Sequence, residues 1–277
     1  MRIATWNVNS VSARLPRLLE WLKDTAPDAV CLQETKIADF PGEEVGALGY
    51  EVAAHGDGRW NGVAILSRVG LADVRRGLAD EPGYPAPEAR ALGATCGPVR
   101  LWSVYVPNGR EPGHDHYAYK LAWLAALRMT VAAELGDAPL AVMGDFNVAP
   151  TDADVWDPAA FVDSTHVTPP ERAALAALRD LGLTDVVGRA LKYDTPFTYW
   201  DYRAGNFHKN FGMRIDHLLV SQPLTARVVA SEIDREARKG KPTPSDHTPL
   251  IVDLDAPGRA FDAGWSGVEE RSAARRK

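Results

Sequence analysis

Asp145 and Asn147 flank Phe146 in the run Met143-Gly144-Asp145-Phe146-Asn147, directly after an apolar stretch. Alternate residues of an extended segment point the same way. Both polar heads are therefore expected to face one pocket while Phe146 packs inward. An aspartate there can take a proton from water, and an asparagine can donate to a phosphoryl oxygen. The bland alternative is an Asx turn, which Gly, Asp and Asn favour unaided. Three further pieces repeat the theme of a polar group at the end of an apolar run. They are Trp6-Asn7-Val8-Asn9, Leu32-Gln33-Glu34-Thr35-Lys36 and Ser245-Asp246-His247.

Glu34 follows Val30-Cys31-Leu32 and is placed to hold a hard divalent cation through oxygen. Magnesium typically takes one or two protein carboxylates, with water and substrate phosphate completing its shell. Read alone, Glu34 is equally an exposed carboxylate in a turn. His247 is the usual acid/base side chain near neutral pH, and a carboxylate fixes its tautomer. Asp216 lies in an apolar run and is costly there unless paired. Its best-motivated partner is His247. Tyr105 and Asn108, in Val104-Tyr105-Val106-Pro107-Asn108, are candidate donors to a phosphate. Acidic and amide groups around one histidine, with a cation, describe phosphoester hydrolysis.

The elements that must position these groups follow from periodicity. Strands are expected at residues 3–6, 29–32, 50–53, 62–66, 140–143, 213–220, 226–233 and 249–252, with a hairpin formed by 91–96 and 99–106. Helical spacing of Leu15, Leu18, Leu19 and Leu22 predicts a helix over 13–25, and further helices are expected over 116–135, 171–181 and 185–191. Residues 71–87 read as an edge strand and loop. Residues 151–170 form a polar connection, and 195–211 are irregular, aromatic and basic. No composition shift marks a linker. One domain over residues 1–255 is expected, with 256–277 a loosely ordered tail. Two strand sheets packed face to face with helices outside would bury this pattern.

The chain has 277 residues, 45% of them hydrophobic, and a net charge of −6. That balance does not describe a protein held on nucleic acid by bulk charge, although a basic groove can sit on an acidic molecule. Cys31 and Cys96 sit in apolar surroundings and read as buried free thiols of a reducing compartment. No signal-peptide pattern and no apolar run long enough for a membrane are visible. These features predict a soluble, cytoplasmic protein without a membrane partner, acting as a monomer.

With these residues in place, the chain resembles the exonuclease III family of the endonuclease/exonuclease/phosphatase superfamily over about residues 1–254. The blocks Ala4-Thr5-Trp6-Asn7-Val8-Asn9-Ser10, Leu32-Gln33-Glu34-Thr35-Lys36, Val104-Tyr105-Val106-Pro107-Asn108-Gly109, Gly144-Asp145-Phe146-Asn147, Arg214-Ile215-Asp216-His217 and Ser245-Asp246-His247 occur in the family's order. Phe197-Thr198-Tyr199-Trp200-Asp201-Tyr202-Arg203 marks the DNA-repair branch. The resemblance implies a four-layer α/β sandwich, two packed mixed sheets flanked by helices, with the site at one end. It implies Mg2+ or Mn2+ at Glu34 with Asn7 close by, and Asp246 near a second metal position.

By the same resemblance Asp145 orients or deprotonates the attacking water. Asn147, Tyr105 and Asn108 stabilise the phosphoryl group, and His247, oriented by Asp216, contacts the scissile phosphate. Tyr199, Trp200 and Met213 are expected to wall a pocket for an abasic deoxyribose, which a tight apolar slot would admit and a full nucleotide would not. The plainer reading of these aromatics is core. Arg203, Lys209, Asn210 and Lys120 are candidate contacts to DNA phosphates, or simply a solvated face.

The expected activity is a DNA-repair nuclease acting on duplex DNA. It would trim 3′ ends, cut 5′ to abasic sites and clear 3′-phosphate or phosphoglycolate blocks. A lipid or small-molecule phosphoesterase would keep Glu34, Asp145 and His247 but lack the 199–203 loop. A non-catalytic DNA-binding module would have lost a metal or base residue, and none is missing.

Overall fold

The computed structural model describes residues 1–190 and 194–255. The expected tail lies outside these residues. The first half of the chain contains β1 (Arg2–Asn7), α1 (Val11–Thr25), β2 (Ala29–Gln33), α2 (Gly42–Gly46), β3 (Glu51–His55), β4 (Val63–Ser67) and β5 (Ala72–Arg76). The hairpin β6 (Ala91–Cys96) and β7 (Val99–Tyr105) follows, then α3 (Asp115–Glu134) and β8 (Leu140–Asp145). The remainder holds α4 (Pro169–Arg179), β9 (Thr184–Asp185), α5 (Asn206–Lys209), β10 (Asp216–Val220), α6 (Gln222–Thr225), β11 (Val228–Ile233) and β12 (Leu250–Leu254).

The strands form two six-stranded sheets, ordered β11-β12-β1-β2-β4-β3 and β5-β6-β7-β8-β10-β9. Each is mixed. β1 and β2 are parallel and joined over α1, β7 and β8 are parallel and joined over α3, and the other neighbours are antiparallel. A parallel pair needs such a crossover. The inner faces bury Ile3, Cys31, Ile65, Leu101, Met143 and Val252 against one another. Leu18, Trp21 and Leu22 of α1 cover the outer face of the first sheet. Trp123, Leu127, Leu175 and Leu178 of α3 and α4 cover that of the second. The result is the four-layer sandwich that the resemblance implies, built from the two packed sheets that the strand pattern predicts.

Helix ends follow local chemistry. Ser10 caps α1 by accepting from the Ala13 amide. Thr168 and Glu171 form a capping box at α4, with Pro169 and Pro170 opening the helix. Cys31 and Cys96 are buried free thiols, as expected. Among the described residues no helix is long and apolar enough to cross a membrane.

The helix expected over 185–191 is not formed. Asp185 ends a two-residue strand, and Val186 and Arg189 spend their amides on Leu218 and Ser231 of neighbouring strands. The Asp185 carboxylate is taken by Arg214 at 2.7 Å. Tertiary partners outcompete the local helical pattern there. Leu191 lies outside the described residues.

The topology brings the polar motifs together. Parallel β1, β2, β7 and β8 end at Asn7, Gln33, Tyr105 and Asp145. β10 and β12 run antiparallel to their neighbours β8 and β1, so they begin where those strands stop. Asp216 and the 245–247 segment therefore arrive at the same end of the sandwich.

Candidate active site

The Asp145 turn combines both sequence readings. Asn147 is not extended but sits at φ 51°, and its amide donates to Asp145 Oδ1 at 2.9 Å. The Asx turn thus exists, and it leaves Asp145 Oδ2 facing the site. Gly144 permits the approach: a Cβ there would lie 1.9 Å from the Val104 carbonyl oxygen.

Asn7 is the hub. Its Nδ2 donates to Glu34 Oε1 at 2.8 Å and to Asp145 Oδ2 at 2.9 Å, and lies 3.4 Å from His247 Nε2. Its Oδ1 accepts from the Asn9 amide. Asn7 thus turns its nitrogen toward the two carboxylates and bridges them. His247 Nδ1 is 2.8 Å from Asp216 Oδ2, the pairing that burial of Asp216 demanded, and Nε2 is 3.7 Å from Asp145 Oδ2. Ser245 Oγ fastens this segment to β1 by donating to the Asn7 carbonyl.

One oxygen each of Glu34 and Asp145 and a ring nitrogen of His247 lie within 4.8 Å of one another, a grouping able to hold a metal ion. Their electrostatics differ. Burial pushes the Asp145 carboxyl well above the usual carboxylate range, helped by Asp216 and Glu34 and opposed by His247. Burial also works against a charged His247, but the Asp216 and Asp145 carboxylates outweigh it and lift the imidazole to about 10. Burial would raise Glu34 too, yet Lys36 and Asn7 hold it below its ordinary value. Lys36 Nζ lies 2.7 Å from Glu34 Oε2 and 2.6 Å from Asn9 Oδ1. Asn9 in turn donates to Asp246, which stands outside the three-residue grouping.

Tyr105 stands at the end of β7 against Glu34. Burial and the Glu34 and Asp145 charges keep its phenol protonated far up the scale, while the Arg90 guanidinium, 4.7 Å from the ring centroid, opposes them. Asn147 Nδ2 donates to the Val106 carbonyl, and exposed Asn108 reaches Asn147 Oδ1 at 3.5 Å.

Two expected DNA or pocket residues, Lys120 and Trp200, are placed elsewhere, and Asn210 is partly engaged. Lys120 is fully buried and ion-paired with Glu171, and its Nζ donates to the carbonyls of Asn147 and Asn108 at 2.7 and 3.1 Å. It braces the turn and touches no surface. Asn210 accepts from the Trp200 indole at Oδ1 and donates one Nδ2 hydrogen to Thr195, which leaves its second amide hydrogen for a phosphate. Trp200 is buried beneath Phe207 and the Arg235 guanidinium rather than walling a pocket. Its amide donates to the Asp246 carbonyl, which links it to the site through backbone. Exposed Arg203 chelates Asp201, and exposed Lys209 stands over Phe211.

Tyr199 and Met213 do line a cavity of about 480 Å³ beside the site, together with Trp156, Phe211 and His166. The Tyr199 ring lies 4.8 Å from that of His247. His166 Nδ1 is 2.6 Å from the Asn147 carbonyl and its Nε2 3.4 Å from Asn108. Burial and the Lys120 ammonium lower this imidazole to about 4, leaving it neutral. Sequence reading missed His166, Trp156 and Phe211 because they lie in irregular connections without periodicity. It passed over Lys36, although its spacing two residues after Glu34 was a usable signal.

Comparison with known proteins agrees with this geometry. The family model described as Endonuclease/Exonuclease/phosphatase family matches residues 4–247. Exodeoxyribonuclease III of Haemophilus influenzae is 32% identical, over 92% of this chain and 100% of its own. The chain belongs to the exonuclease III/AP endonuclease family. A solved member from Neisseria, a 3′ phosphatase bound to product DNA hairpin, is 37% identical with TM-score 0.87. An AP endonuclease from Archaeoglobus fulgidus is 33% identical with TM-score 0.86. Each match covers 92% of this chain and 100% of the other. As an exonuclease III-type protein the chain is a DNA-repair nuclease and a phosphoester hydrolase, and its two mixed sheets are the deoxyribonuclease I-like fold of that family.

Proposed function

We propose that residues 1–255 form one catalytic domain that hydrolyses DNA phosphoesters with a divalent cation. On this reading it degrades duplex DNA from 3′ ends, cuts 5′ to abasic sites and removes 3′-phosphate and phosphoglycolate blocks. One observation carries the reading: Glu34, Asp145 and the His247–Asp216 pair converge on Asn7 at a common strand end. The cavity with Tyr199 and Met213 in its wall adjoins them. The relatives add weight, since exonuclease, 3′-phosphatase and AP-endonuclease activities all occur among their names.

The donor set fits a hard cation. Glu34 and Asp145 offer carboxylate oxygens, the ligand type that Mg2+ and Mn2+ prefer. A protonated imidazole has no lone pair to give, so His247 stands beside the cation as a second positive group. Asp246, tied to Asn9, is a further carboxylate at the rim. When bound, the cation supplies Lewis-acid stabilisation of the phosphoryl oxygens.

The chain's own residues do the rest. Asp145 Oδ2, raised in basicity by burial, takes the proton of the attacking water. His247 donates from Nε2 toward the scissile phosphate, with Asp216 fixing its orientation. The second hydrogen of Asn147 Nδ2, the Asn108 amide and the Tyr105 hydroxyl donate to the other phosphoryl oxygens. Arg203 and Lys209 on the exposed 201–211 loop contact flanking backbone phosphates.

Labelled duplexes carrying a plain 3′ end, a 3′-phosphate or an internal abasic analogue test this directly. Cation-dependent hydrolysis of all three, abolished by chelation, is the expected result. Turnover confined to small or lipid phosphoesters would overturn the reading.

A further inference from the structure

Trp156 and Phe211 stack at a centroid distance of 4.0 Å with 16° between their planes, both in the wall of the cavity beside the site. Phe211 covers one indole face, and Trp156 is still 37% exposed. The stacked pair opens onto the cavity beside the site, and its free indole face fits a planar ligand.

The pair is held ready-made. The Trp156 amide donates to the Gly212 carbonyl, and Val155 and Tyr199 both bridge to Met213. Gly212 is itself pressed against Trp200, where a Cβ would lie 2.5 Å from the indole nitrogen. The backbone on both sides of the stack is therefore fixed by the fold. Lys209 Nζ stands 5.7 Å from the Phe211 ring centroid, and Arg110 lines the same cavity, alongside the acids Glu111, Asp163 and Asp201.

We propose that the Trp156–Phe211 stack is a platform for an intact nucleobase, that of the nucleotide adjoining the scissile phosphate. This deepens the proposed DNA phosphoesterase function and rests on it. Continuity argues for that occupant, because His166 and Tyr199 belong both to the cavity wall and to the surroundings of Asn147 and His247. Chemistry argues for it as well. Every base has a π-face that extends such a stack whatever its sequence, and an adjacent ammonium suits the backbone phosphate that comes with it. An abasic sugar has no face to offer, so Tyr199 and Met213 serve the sugar and Trp156 reads whether a base is attached.

The test compares 3′ ends that differ only in whether the terminal nucleotide carries a base or is a base-free tetrahydrofuran analogue. KM is measured on both with wild type, Trp156→Ala and Trp156→Phe. In Trp156→Ala the KM for the base-bearing end relative to the base-free end rises by roughly 5- to 150-fold, the factor that stacking one base carries. Trp156→Phe restores most of it. An equal loss on both ends, or no change in the ratio, overturns the platform while leaving DNA hydrolysis standing. Wild type that cleaves neither end overturns both.

Discussion

At His247 two carboxylates decide the charge. Burial alone would strip its proton, but Asp216 at 2.8 Å and Asp145 at 3.7 Å keep it charged up to about pH 10. In the proposed mechanism the imidazolium is the working form, so kcat/KM should fall as pH rises through that value. In the same mechanism Asp145 acts as the carboxylate, so its raised pKa should make the rate fall again on the acid side. Asp216→Asn removes the His247 partner, lowers the imidazole pKa and should move the alkaline limb down by roughly 1 to 3 pH units. A pH–rate profile with an unmoved alkaline limb would show that Asp216 acts only by holding the ring in place. Asp145 was legible from its position after a strand, and the His247–Asp216 pair from the cost of burying an unpaired aspartate. The Asn7 bridge was not, because sequence does not say which end of an amide faces which neighbour.

At the scale of elements, α3 and α4 reach the site through Lys120 and Glu171. The Glu171 carboxylate accepts from the Thr168 amide and hydroxyl at the helix start and from the His166 amide. Lys120 carries that charge on to the Asn108 and Asn147 carbonyls. Lys120→Met leaves a buried carboxylate uncompensated and should cost about 3–5 kcal/mol. Urea unfolding checks this as a lower midpoint at constant slope. The salt dependence of DNA affinity should not change, since Lys120 neutralises no phosphate. A reduced salt slope would restore it to the DNA surface. Helical spacing identified α3 but not the side of it that Lys120 occupies, for a lysine is ordinarily a surface residue. Trp200 was misplaced for a related reason: the aromatic run 197–202 alternates between core and cavity, and only the fold says which ring goes where. Strands such as β2, β4, β8 and β12 were easiest to read, because each is a largely apolar run buried on both faces.

Across the whole molecule the net charge is −6, so in the proposed function the DNA-binding face is local and a cation offsets the repulsion between the carboxylate centre and a phosphate. Adding Mg2+ at a hundredfold its Kd should stabilise the folded chain by about 2.7 kcal/mol. Glu34→Gln should abolish that gain in a thermal melt while leaving the cation-free protein folded. An equal gain in the variant would place the cation elsewhere.

The most direct test of the central claim, that Asp145 activates water at a cation-dependent phosphoesterase centre, is cleavage of an end-labelled duplex bearing one abasic-site analogue. Wild type and Asp145→Asn are compared with and without Mg2+. Cutting that requires Mg2+ and falls roughly 10²- to 10⁴-fold in the variant is the predicted result. Cutting that persists in Asp145→Asn, or that proceeds without the cation, would contradict the account.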